Sequence, residues 1–330
     1  MVEEVCLYAT VFNNVNTIEE TIKSIWRPNY TIIITDNYSF DGTWEKLQEL
    51  RKEYNLLLYR LKSSRGKGRD YSLRHCPDNS RTAYFDLDVK YNENFHKVIE
   101  WSPKDKRVLI HYTFVARKDI IVNKGGWRDL NYAEDEELFT RVGFDYFIPV
   151  ITATNLYVAQ KREKRYVKNK IGYYYRSFKN HLDTIRGLGL NFSETRLIYD
   201  YPFHLKLGVY LAFFIAKLKG IYRYDKEIPN HLKTLLMRIK KIVNNSELGI
   251  SDDYFGFYLP YIALRYIINI KGKNEIISLI EKNLKEKIGF YKKYLCQQGG
   301  FIAYVKNKKG LENIINMLPL NNFTCEEVPE

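Results

Sequence analysis

Residues 82–88 read Thr82-Ala83-Tyr84-Phe85-Asp86-Leu87-Asp88. Apolar and aromatic residues lead into two carboxylates, Asp86 and Asp88, which are two positions apart. In an extended segment this spacing places both side chains on one face of the strand. A divalent cation such as Mg²⁺ or Mn²⁺ binds one or two such carboxylates and takes its other ligands from phosphate and water. The stretch therefore predicts a buried strand that ends at a site for a cation carrying a diphosphate. A strand that simply ends in a polar loop is the alternative.

Strands and helices alternate along the first 150 residues. β-Branched and apolar runs predict strands, and the stretches between them predict helices. The first helix begins with a capping-box pattern, Thr17-Ile18-Glu19-Glu20. This order predicts the α/β class, with a doubly wound, mostly parallel, Rossmann-like sheet. The predicted strands are 4–12, 30–35, 56–61, 82–88, 107–114 and 144–150, and the predicted helices are 17–26, 44–54, 71–75 and one that begins at Glu134.

Polar residues stand where the predicted strands end. Asn13 follows the first strand, Asp36 the second, and a Gly/Lys/Arg turn at 63–69 the third. Ligands of such sheets bind beyond the carboxyl ends of the strands, so these positions are expected to share one site. In the turn, Lys67 and Arg69 could neutralise phosphate. The turn lacks the glycines of a dinucleotide or Walker loop, so a basic turn in water is the alternative.

Four consecutive acids, Glu134 to Glu137, begin a helix after the predicted turn Gly125-Gly126-Trp127-Arg128. Acids at a helix start complement the helix dipole, and a solvated first turn is one interpretation. An acid in this position is equally well suited to act as a general base. None of the six histidines falls in these motifs. We interpret His111, in the middle of a predicted strand, as structural.

In their order along the chain, these motifs resemble the family 2 glycosyltransferases with a GT-A fold. The resemblance covers roughly residues 4–150. It implies a UDP- or GDP-sugar donor, a divalent cation (Mn²⁺ or Mg²⁺) and inversion at the sugar carbon. The motifs that carry it are Phe12-Asn13, Asp36…Ser39-x-Asp41-Gly42-Thr43, Gly66-x-Gly68-Arg69, Asp86-x-Asp88, Gly125-Gly126-Trp127 and Glu134-Asp135.

The resemblance also implies roles for single residues. The base and ribose would be held by Thr10, Phe12 and Asp36. Asp86 would contact the nucleotide and share the metal with Asp88, and Asp135 would be the catalytic base. From the basic turn, Gly66, Lys67 and Arg69 would bind the donor. This chemistry suits the residues, because the cation and basic side chains stabilise the departing diphosphate while a carboxylate takes the proton of the acceptor hydroxyl.

Other enzyme and binding functions fit the sequence less well. The Gln-x-x-Arg-Trp motif of processive relatives is not reproduced by 160–166, so we expect transfer of a single sugar. A sugar-phosphate nucleotidyltransferase would need a Gly-rich loop with arginine after the first strand, where this chain has Asn13-Asn14-Val15-Asn16. A non-catalytic nucleic-acid-binding protein would use the basic C-terminal half. That alternative leaves the acids at the strand ends unexplained.

The positive charge belongs to the second half of the chain. Residues 1–150 hold 22 Lys and Arg against 23 Asp and Glu, and residues 151–330 hold 30 against 16, a net of +14. A basic half indicates anionic partners, and we favour a membrane surface and a glycan or lipid-linked acceptor over nucleic acid. The alternative is a Lys-rich surface that only keeps the protein soluble.

We expect a catalytic domain at 1–155 and a basic, mostly helical region at 156–330. Two segments of that region suit a membrane interface: the aromatic and basic run 173–179, and the apolar stretch 207–216, flanked by Lys206, Lys217 and Lys219. Apolar stripes predict a helical bundle. They are Leu232, Leu235, Leu236, Ile239 and Ile242/Val243, and Ile276, Leu279, Ile280, Leu284 and Ile288.

The four cysteines are far apart and show no metal-site spacing. Such spacing predicts a reducing compartment and no disulfide framework. No signal peptide is visible before the first strand. We therefore expect a cytoplasmic protein, peripheral at the inner face of the membrane.

Overall fold

The computed structural model of the chain describes residues 4–110, 113–156, 169–199, 202–222, 241–251, 254–258, 292–296, 301–305, 312 and 325–328. The strands of its first part are β1 Val5–Val11, β2 Tyr30–Asp36, β3 Leu56–Arg60, β4 Arg81–Tyr84, β5 Val89–Tyr91, β6 Val108–Ile110, β7 Thr113–Arg117, β8 Tyr146–Ile148 and β9 Ala153–Asn155. The helices are α1 Ile18–Ile25, α2 Thr43–Leu50, α3 Arg65–His75, α4 Glu93–Trp101, α5 Lys118–Asn123, α6 Glu134–Val142, α7 Lys170–Leu188, α8 Phe192–Ile198 and α9 Phe203–Lys219. The later strands are β10 Lys241–Ile242, β11 Tyr254–Tyr258, β12 Lys292–Cys296, β13 Phe301–Val305 and β14 Cys325–Val328.

An eight-stranded sheet, in the order β10-β8-β6-β7-β4-β1-β2-β3, forms the centre of the fold. Every neighbouring pair in it is parallel except the two that involve β7. The α/β class and the mostly parallel sheet are therefore confirmed. The predicted strand at 107–114 is wrong, because β6 and β7 form an antiparallel pair in its place. His111 lies outside the described residues.

The middle strands are covered by helices on both faces, which explains their unbroken apolar sequence. In β1, Leu7, Tyr8 and Ala9 are fully buried. In β2 the same is true of residues 32–34. The core continues into α1 through Ile18, Ile22 and Ile25, which are spaced as one helical face. Burial on both faces fixes β1 and β2, so the loops that follow them are held in defined positions.

Helix α3 begins at Arg65, six residues earlier than predicted, so 65–69 is helical and not a turn. Ser64 caps it, since its hydroxyl oxygen accepts a hydrogen bond from Lys67 N at 3.2 Å. Both glycines of the motif are needed for packing. A Cβ on Gly66 would lie 2.0 Å from the backbone oxygen of Arg128, and one on Gly68 would lie 2.3 Å from Thr10 Oγ1. The Gly-x-Gly spacing therefore allows α3 to pack closely against β1 and the 128–130 loop.

Two predictions about the first helix and the cysteines are wrong. The Thr17 side chain does not cap α1. Its hydroxyl instead donates to the backbone oxygen of Leu87 at 2.8 Å, which ties α1 to the loop that carries the two aspartates. Cys6 and Cys76 form a disulfide, 70 residues apart in sequence. Packing of α3 on β1 brings them together, so sequence spacing gave no signal.

The described part of the region beyond residue 155 contains both helices and strands. Helices α7, α8 and α9 pack together, with Leu182, Ile185, Val209 and Phe213 in a shared core. An antiparallel sheet, in the order β11-β13-β12-β14, was not predicted. Strand β10 joins the central sheet beside β8, so the helical interpretation of Ile242 is wrong. The predicted stripes at 232–239 and 276–288 lie outside the described residues. None of the described helices has both the length and the apolar character needed to cross a bilayer.

We expect Gly66→Ala to lower the free energy of unfolding by at least about 2 kcal/mol, because the added methyl group meets backbone that cannot move aside cheaply. Gly208→Ala is the matched control, since nothing lies within 4 Å of its Cβ position in α9. Alanine in a helix interior should stabilise that variant by about 0.5–1 kcal/mol. Urea unfolding of both variants measures the difference. Equal effects at the two sites would contradict the packing role of Gly66.

Candidate active site

A cavity of about 360 Å³ opens at the carboxyl ends of β1 and β2. One wall comes from these strand ends and the other from α7, as expected for a ligand site of such a sheet. Arg65, Arg176 and Lys179 contribute positive charge, which suits an anionic ligand. The lining residues are Thr10, Val11, Phe12, Asn37, Arg65, Asn131, Gly172, Tyr175, Arg176, Lys179 and Asn180.

The α7 wall was not predicted from the sequence. The run 173–179 suits a membrane interface, but Tyr175, Arg176 and Lys179 from this run line the cavity. The alternation of basic and aromatic residues indicates a binding surface, but it does not distinguish a helix that lines a cavity from one that lies on a membrane. Asn37 and Asn131 were also missed, because single asparagines in loops carry little information on their own.

Thr10 and Phe12 lie where the sequence predicts a ligand, and both line the cavity. The Thr10 hydroxyl donates to the backbone oxygen of Thr35 at 3.0 Å, which joins the ends of β1 and β2. Phe12 packs edge-on against Phe40 at 5.8 Å between ring centroids. Asp36 is fully buried and is not one of the lining residues. It accepts hydrogen bonds from Ser39 N at 3.1 Å and Arg60 Nε at 3.0 Å.

The motif Ser39-x-Asp41-Gly42-Thr43 connects two loops at the rim of the cavity. Ser39 Oγ accepts from Asn13 N at 2.8 Å, and Thr43 Oγ1 accepts from Asn14 N at 2.7 Å. Asp41 accepts from Val15 N at 3.2 Å. These bonds fix the loop after β1 against the loop after β2. The motif therefore shapes the site by holding its backbone.

Arg69 is at the centre of a buried ion-pair network. Its side chain is 3% exposed. One guanidinium nitrogen lies 2.5 Å from Asp86 Oδ1 and the other lies 2.9 Å from Glu134 Oε1. Burial disfavours the charged guanidinium, but the two carboxylates raise the Arg69 pKa above its ordinary range. Arg69 thus joins the loop after β4 to the first turn of α6.

Aromatic rings hold the guanidinium in place. Arg69 Cζ lies 4.5 Å from the ring centroid of Tyr84 and 4.9 Å from that of Trp127. The Trp127 indole donates to the Tyr8 hydroxyl at 3.0 Å, and its backbone N–H donates to Asp70 at 2.8 Å. The Gly125-Gly126-Trp127 turn is needed to insert this ring, and both glycines have positive φ. The turn was predicted, but its function as a support for Arg69 was not.

The acids of α6 do not form a solvated first turn. Glu134 and Glu137 are 2% and 0% exposed. Glu134 pairs with Arg69 and with Arg65, and Glu137 accepts from Arg141 Nε at 2.7 Å. The run therefore places two of its four acids in buried ion pairs, so the solvated interpretation is wrong.

Asp135 differs from its neighbours on α6. It is half-buried and, within the described ranges, makes no ion pair. Its Oδ1 accepts from Glu136 N at 2.8 Å. Burial, and next the charge of Glu134, raise the pKa of Asp135 to about 6. Burial also raises the pKa of Glu136 well above its ordinary value. A carboxyl group with a pKa near the working pH is suited to take up a proton.

Asp86 and Asp88 follow β4, which ends at Tyr84, so the predicted strand geometry at these residues is wrong. The turn after Tyr84 leaves the Asp86 side chain 27% exposed, and Arg69 contacts its Oδ1. The Asp86 backbone N–H donates to the Tyr91 hydroxyl at 2.9 Å. Asp88 is 5% exposed, and its backbone oxygen accepts from Leu156 N. The two carboxylates provide hard oxygen donors of the type that Mg²⁺ and Mn²⁺ prefer, so the residues fit such a cation.

The described residues contain no group of three or more His, Cys, Asp or Glu that could hold a metal ion. A cation at Asp86 and Asp88 would therefore take further ligands from a bound diphosphate and water. Two more residues were predicted to bind the sugar donor. Lys67 is exposed in the first turn of α3, and Gly66 is buried against the 128–130 loop.

Solved structures resemble this chain at low identity. TarS from S. aureus in complex with UDP-GlcNAc is 12% identical with a TM-score of 0.42, over 93% of this chain and 98% of that chain. The mannosyltransferase PcManGT from Pyrobaculum calidifontis, in complex with GDP-Man and Mn²⁺, is 15% identical with a TM-score of 0.44, over 86% and 88%. A longer TarS chain is 10% identical with a TM-score of 0.44, over 88% of this chain, which spans 56% of its length. No curated protein matches the chain.

Because these TM-scores lie below 0.5, the assignment depends on the family model. The model of glycosyl transferase family 2 matches residues 6–179, which is more than half of the chain. The match includes the strand ends, the Arg69 network and the α7 residues of the cavity wall up to Lys179. The resemblance predicted from the motifs is confirmed, and both alternatives are set aside. This chain belongs to glycosyl transferase family 2.

Proposed function

We propose that this glycosyltransferase moves a single sugar, with inversion at the anomeric carbon, from a UDP- or GDP-sugar to a hydroxyl or lipid-linked phosphate acceptor. One observation carries the proposal. The Arg69 guanidinium touches both Asp86, where the diphosphate would bind, and Glu134, the neighbour of Asp135. The groups needed to stabilise a leaving group and to accept a proton therefore lie on the two sides of one side chain.

In this proposal the donor occupies the cavity. Thr10 and Phe12 contact the base and ribose, and the buried Asp36 supports them by fixing the loop that carries Asn37. The cations Arg65 and Lys67, at the start of α3, attract the diphosphate. Charge-assisted hydrogen bonds from such groups are about twice as strong as neutral ones. These roles are supported by the position of four residues that line the cavity: Thr10, Phe12, Asn37 and Arg65.

Asp86 and Asp88 would hold Mn²⁺ or Mg²⁺ together with the diphosphate. When bound, the cation supplies positive charge that stabilises the departing nucleoside diphosphate. Arg69 holds Asp86 in one orientation through a hydrogen bond, and the rings of Tyr84 and Trp127 hold the guanidinium itself. Its task is to position that carboxylate, since its guanidinium is buried against protein groups.

Asp135 acts as the catalytic base and takes the proton from the acceptor hydroxyl as that oxygen attacks the sugar. With its pKa at about 6, the carboxyl group is mostly ionised at pH 7 and still accepts a proton readily. Glu134 and Glu137 are held in ion pairs with arginines. Asp135 is for this reason the best-suited base among the four acids of the first turn of α6, with Glu136 as its nearest rival.

The surroundings of the enzyme complete the proposal. We divide the chain into a catalytic domain at 1–155 and a basic region at 156–330 that receives the acceptor. The enzyme would work in the cytoplasm, at the inner face of a membrane with anionic lipids. Cys6 and Cys76 are 0% and 2% exposed, so their disulfide is shielded from the thiols of such a compartment.

Asp88→Ala should abolish cation-dependent nucleotide binding while the protein stays folded, because a carboxylate ligand of the cation is lost. Calorimetry with UDP or GDP and Mn²⁺ measures the affinity. Asp78→Ala is the matched control, since that aspartate is 91% exposed at its side chain and outside the site. Unchanged affinity in the Asp88 variant would exclude it as a metal ligand.

Asp135→Asn should lower sugar transfer by at least about 10²-fold, the usual contribution of a positioned base. Donor binding should stay close to normal, because the base acts on the acceptor and not on the diphosphate. Turnover and nucleotide affinity are measured on the same preparation. Glu136→Gln is the control. A large loss in that variant, with near-normal turnover of the Asp135 variant, would move the role to Glu136.

The same Asp135→Asn change should stabilise the fold above pH 6. An unfolded Asp loses its proton near pH 4, whereas folded Asp135 does so at about 6, so wild-type stability falls between these values as pH rises. The variant cannot ionise there. Melting temperatures should therefore coincide near pH 3.5, separate between pH 4 and 6, and keep a constant gap above pH 7. A gap that does not change with pH would contradict the raised pKa.

A further inference from the structure

Helix α9 is apolar on two faces. Its inner face packs on α7 through Val209, Ala212, Phe213 and Ala216, none more than 2% exposed. A second apolar row is open to solvent. We call it the outer stripe, and it consists of Phe203 (76% exposed), Leu207 (54%), Leu211 (55%), Phe214 (58%) and Leu218 (87%). Spacings of four, four, three and four residues place these side chains along one side of the helix.

The outer stripe continues onto the neighbouring helix. Phe192, at the start of α8, is 41% exposed, and its ring centroid lies 6.4 Å from that of Phe214. Scattered exposed apolar residues are normal on a protein surface, but a contiguous row of six large ones marks an interaction surface. Removing these apolar side chains from water is favourable, so this row would stabilise the binding of a partner that covers it.

The charges of α9 identify the kind of partner. The helix carries Lys206, Lys217 and Lys219, and no Asp or Glu in its 17 residues. A second copy of the chain is a poor occupant, because two-fold pairing of α9 would bring lysines together without acids from the same helix. A partner that complements the outer stripe and these lysines has an apolar region bordered by negative charge. A bilayer with anionic headgroups has that chemistry.

We propose that α9 docks the enzyme on an anionic membrane surface by burying its outer stripe in the headgroup region. The helix would lie in the plane of the interface, since none of the described helices is suited to span a bilayer. From such a position, the lysine ammonium groups reach the lipid phosphates while the methylene groups of the same side chains remain in the apolar layer. The inner face stays packed on α7, so docking requires no unfolding.

Docking through α9 would set the acceptor beside the cavity. Helix α7 packs on α9 with one part of its surface, and its N-terminal half lines the cavity through Tyr175, Arg176 and Lys179. Tyr173 and Tyr174, in the same part of α7, are 47% and 60% exposed. The placing of a lipid-linked acceptor beside the cavity deepens the proposed function and depends on it. The docking itself does not depend on the reaction.

Vesicle co-sedimentation of the full chain tests the proposal. The vesicles are phosphatidylcholine alone, or the same lipid with about one-third phosphatidylglycerol. The wild type should bind the anionic vesicles and lose binding as salt is raised. The stripe variant Leu207→Ser/Leu211→Ser/Phe214→Ser should bind at least about tenfold more weakly, because three apolar side chains are lost from the bilayer.

A pair of charge variants separates local from overall electrostatics. Lys206→Glu/Lys217→Glu/Lys219→Glu should also lose at least about tenfold in affinity. The matched control is Lys52→Glu/Lys104→Glu/Lys124→Glu, which changes three exposed lysines of the first 155 residues. Its net charge equals that of the α9 charge variant. It should bind vesicles nearly as the wild type does.

Three results would overturn the proposal. These are absence of binding to anionic vesicles at low salt, equal binding by the stripe variant, and a wild-type dimer that the stripe variant dissociates. The last would assign the stripe to a second copy of the chain. Nucleotide calorimetry with Mn²⁺ on the stripe variant keeps the two proposals apart. Normal affinity with lost vesicle binding supports docking, and failure of docking leaves the donor chemistry unaffected.

Discussion

A single buried arginine holds this active site together. Arg69 packs against the rings of Tyr84 and Trp127 and pairs with Asp86 on one side and Glu134 on the other. A buried charge is tolerated only where it is paired, and removing one partner of such a group typically costs about 3–5 kcal/mol. The loop after β4 and the start of α6 are therefore fixed relative to each other before any ligand binds.

Much of the surrounding structure serves to bring Arg69 to this position. The glycines of α3 allow its backbone to approach β1 and the 128–130 loop, where an added Cβ would collide. The Gly125-Gly126 turn inserts Trp127 beneath the guanidinium. Preorganisation of this kind is useful in catalysis, because charged groups that are already oriented need no reorganisation when the reaction occurs. Asp135, whose pKa is raised, is adjacent to the network and outside its ion pairs.

The α/β sheet could be predicted from sequence because strand burial, helix periodicity and polar strand ends all agreed. Thr10 and Phe12 were found at the cavity for the same reason, since strand ends in a parallel sheet meet at one edge. Tertiary contacts explain the failures. Thr17 donates to Leu87 and not to its own helix, and Cys6 meets Cys76 only after α3 packs. The ion pairs of Arg69 were not predicted either, because a basic residue beside glycines gives no sign of the carboxylates that will surround it.

A double-mutant cycle on Asp86→Asn and Glu134→Gln tests the role of Arg69 most directly. The two acids are 48 positions apart in sequence and are linked through the same guanidinium. Either single change leaves Arg69 one carboxylate, whereas the double change leaves a buried charge without either. The free energy of unfolding, measured in urea, should therefore fall in the double variant by at least about 1 kcal/mol more than the sum of the single changes. Additivity within about 0.5 kcal/mol would show that Arg69 does not couple the two sides of the site.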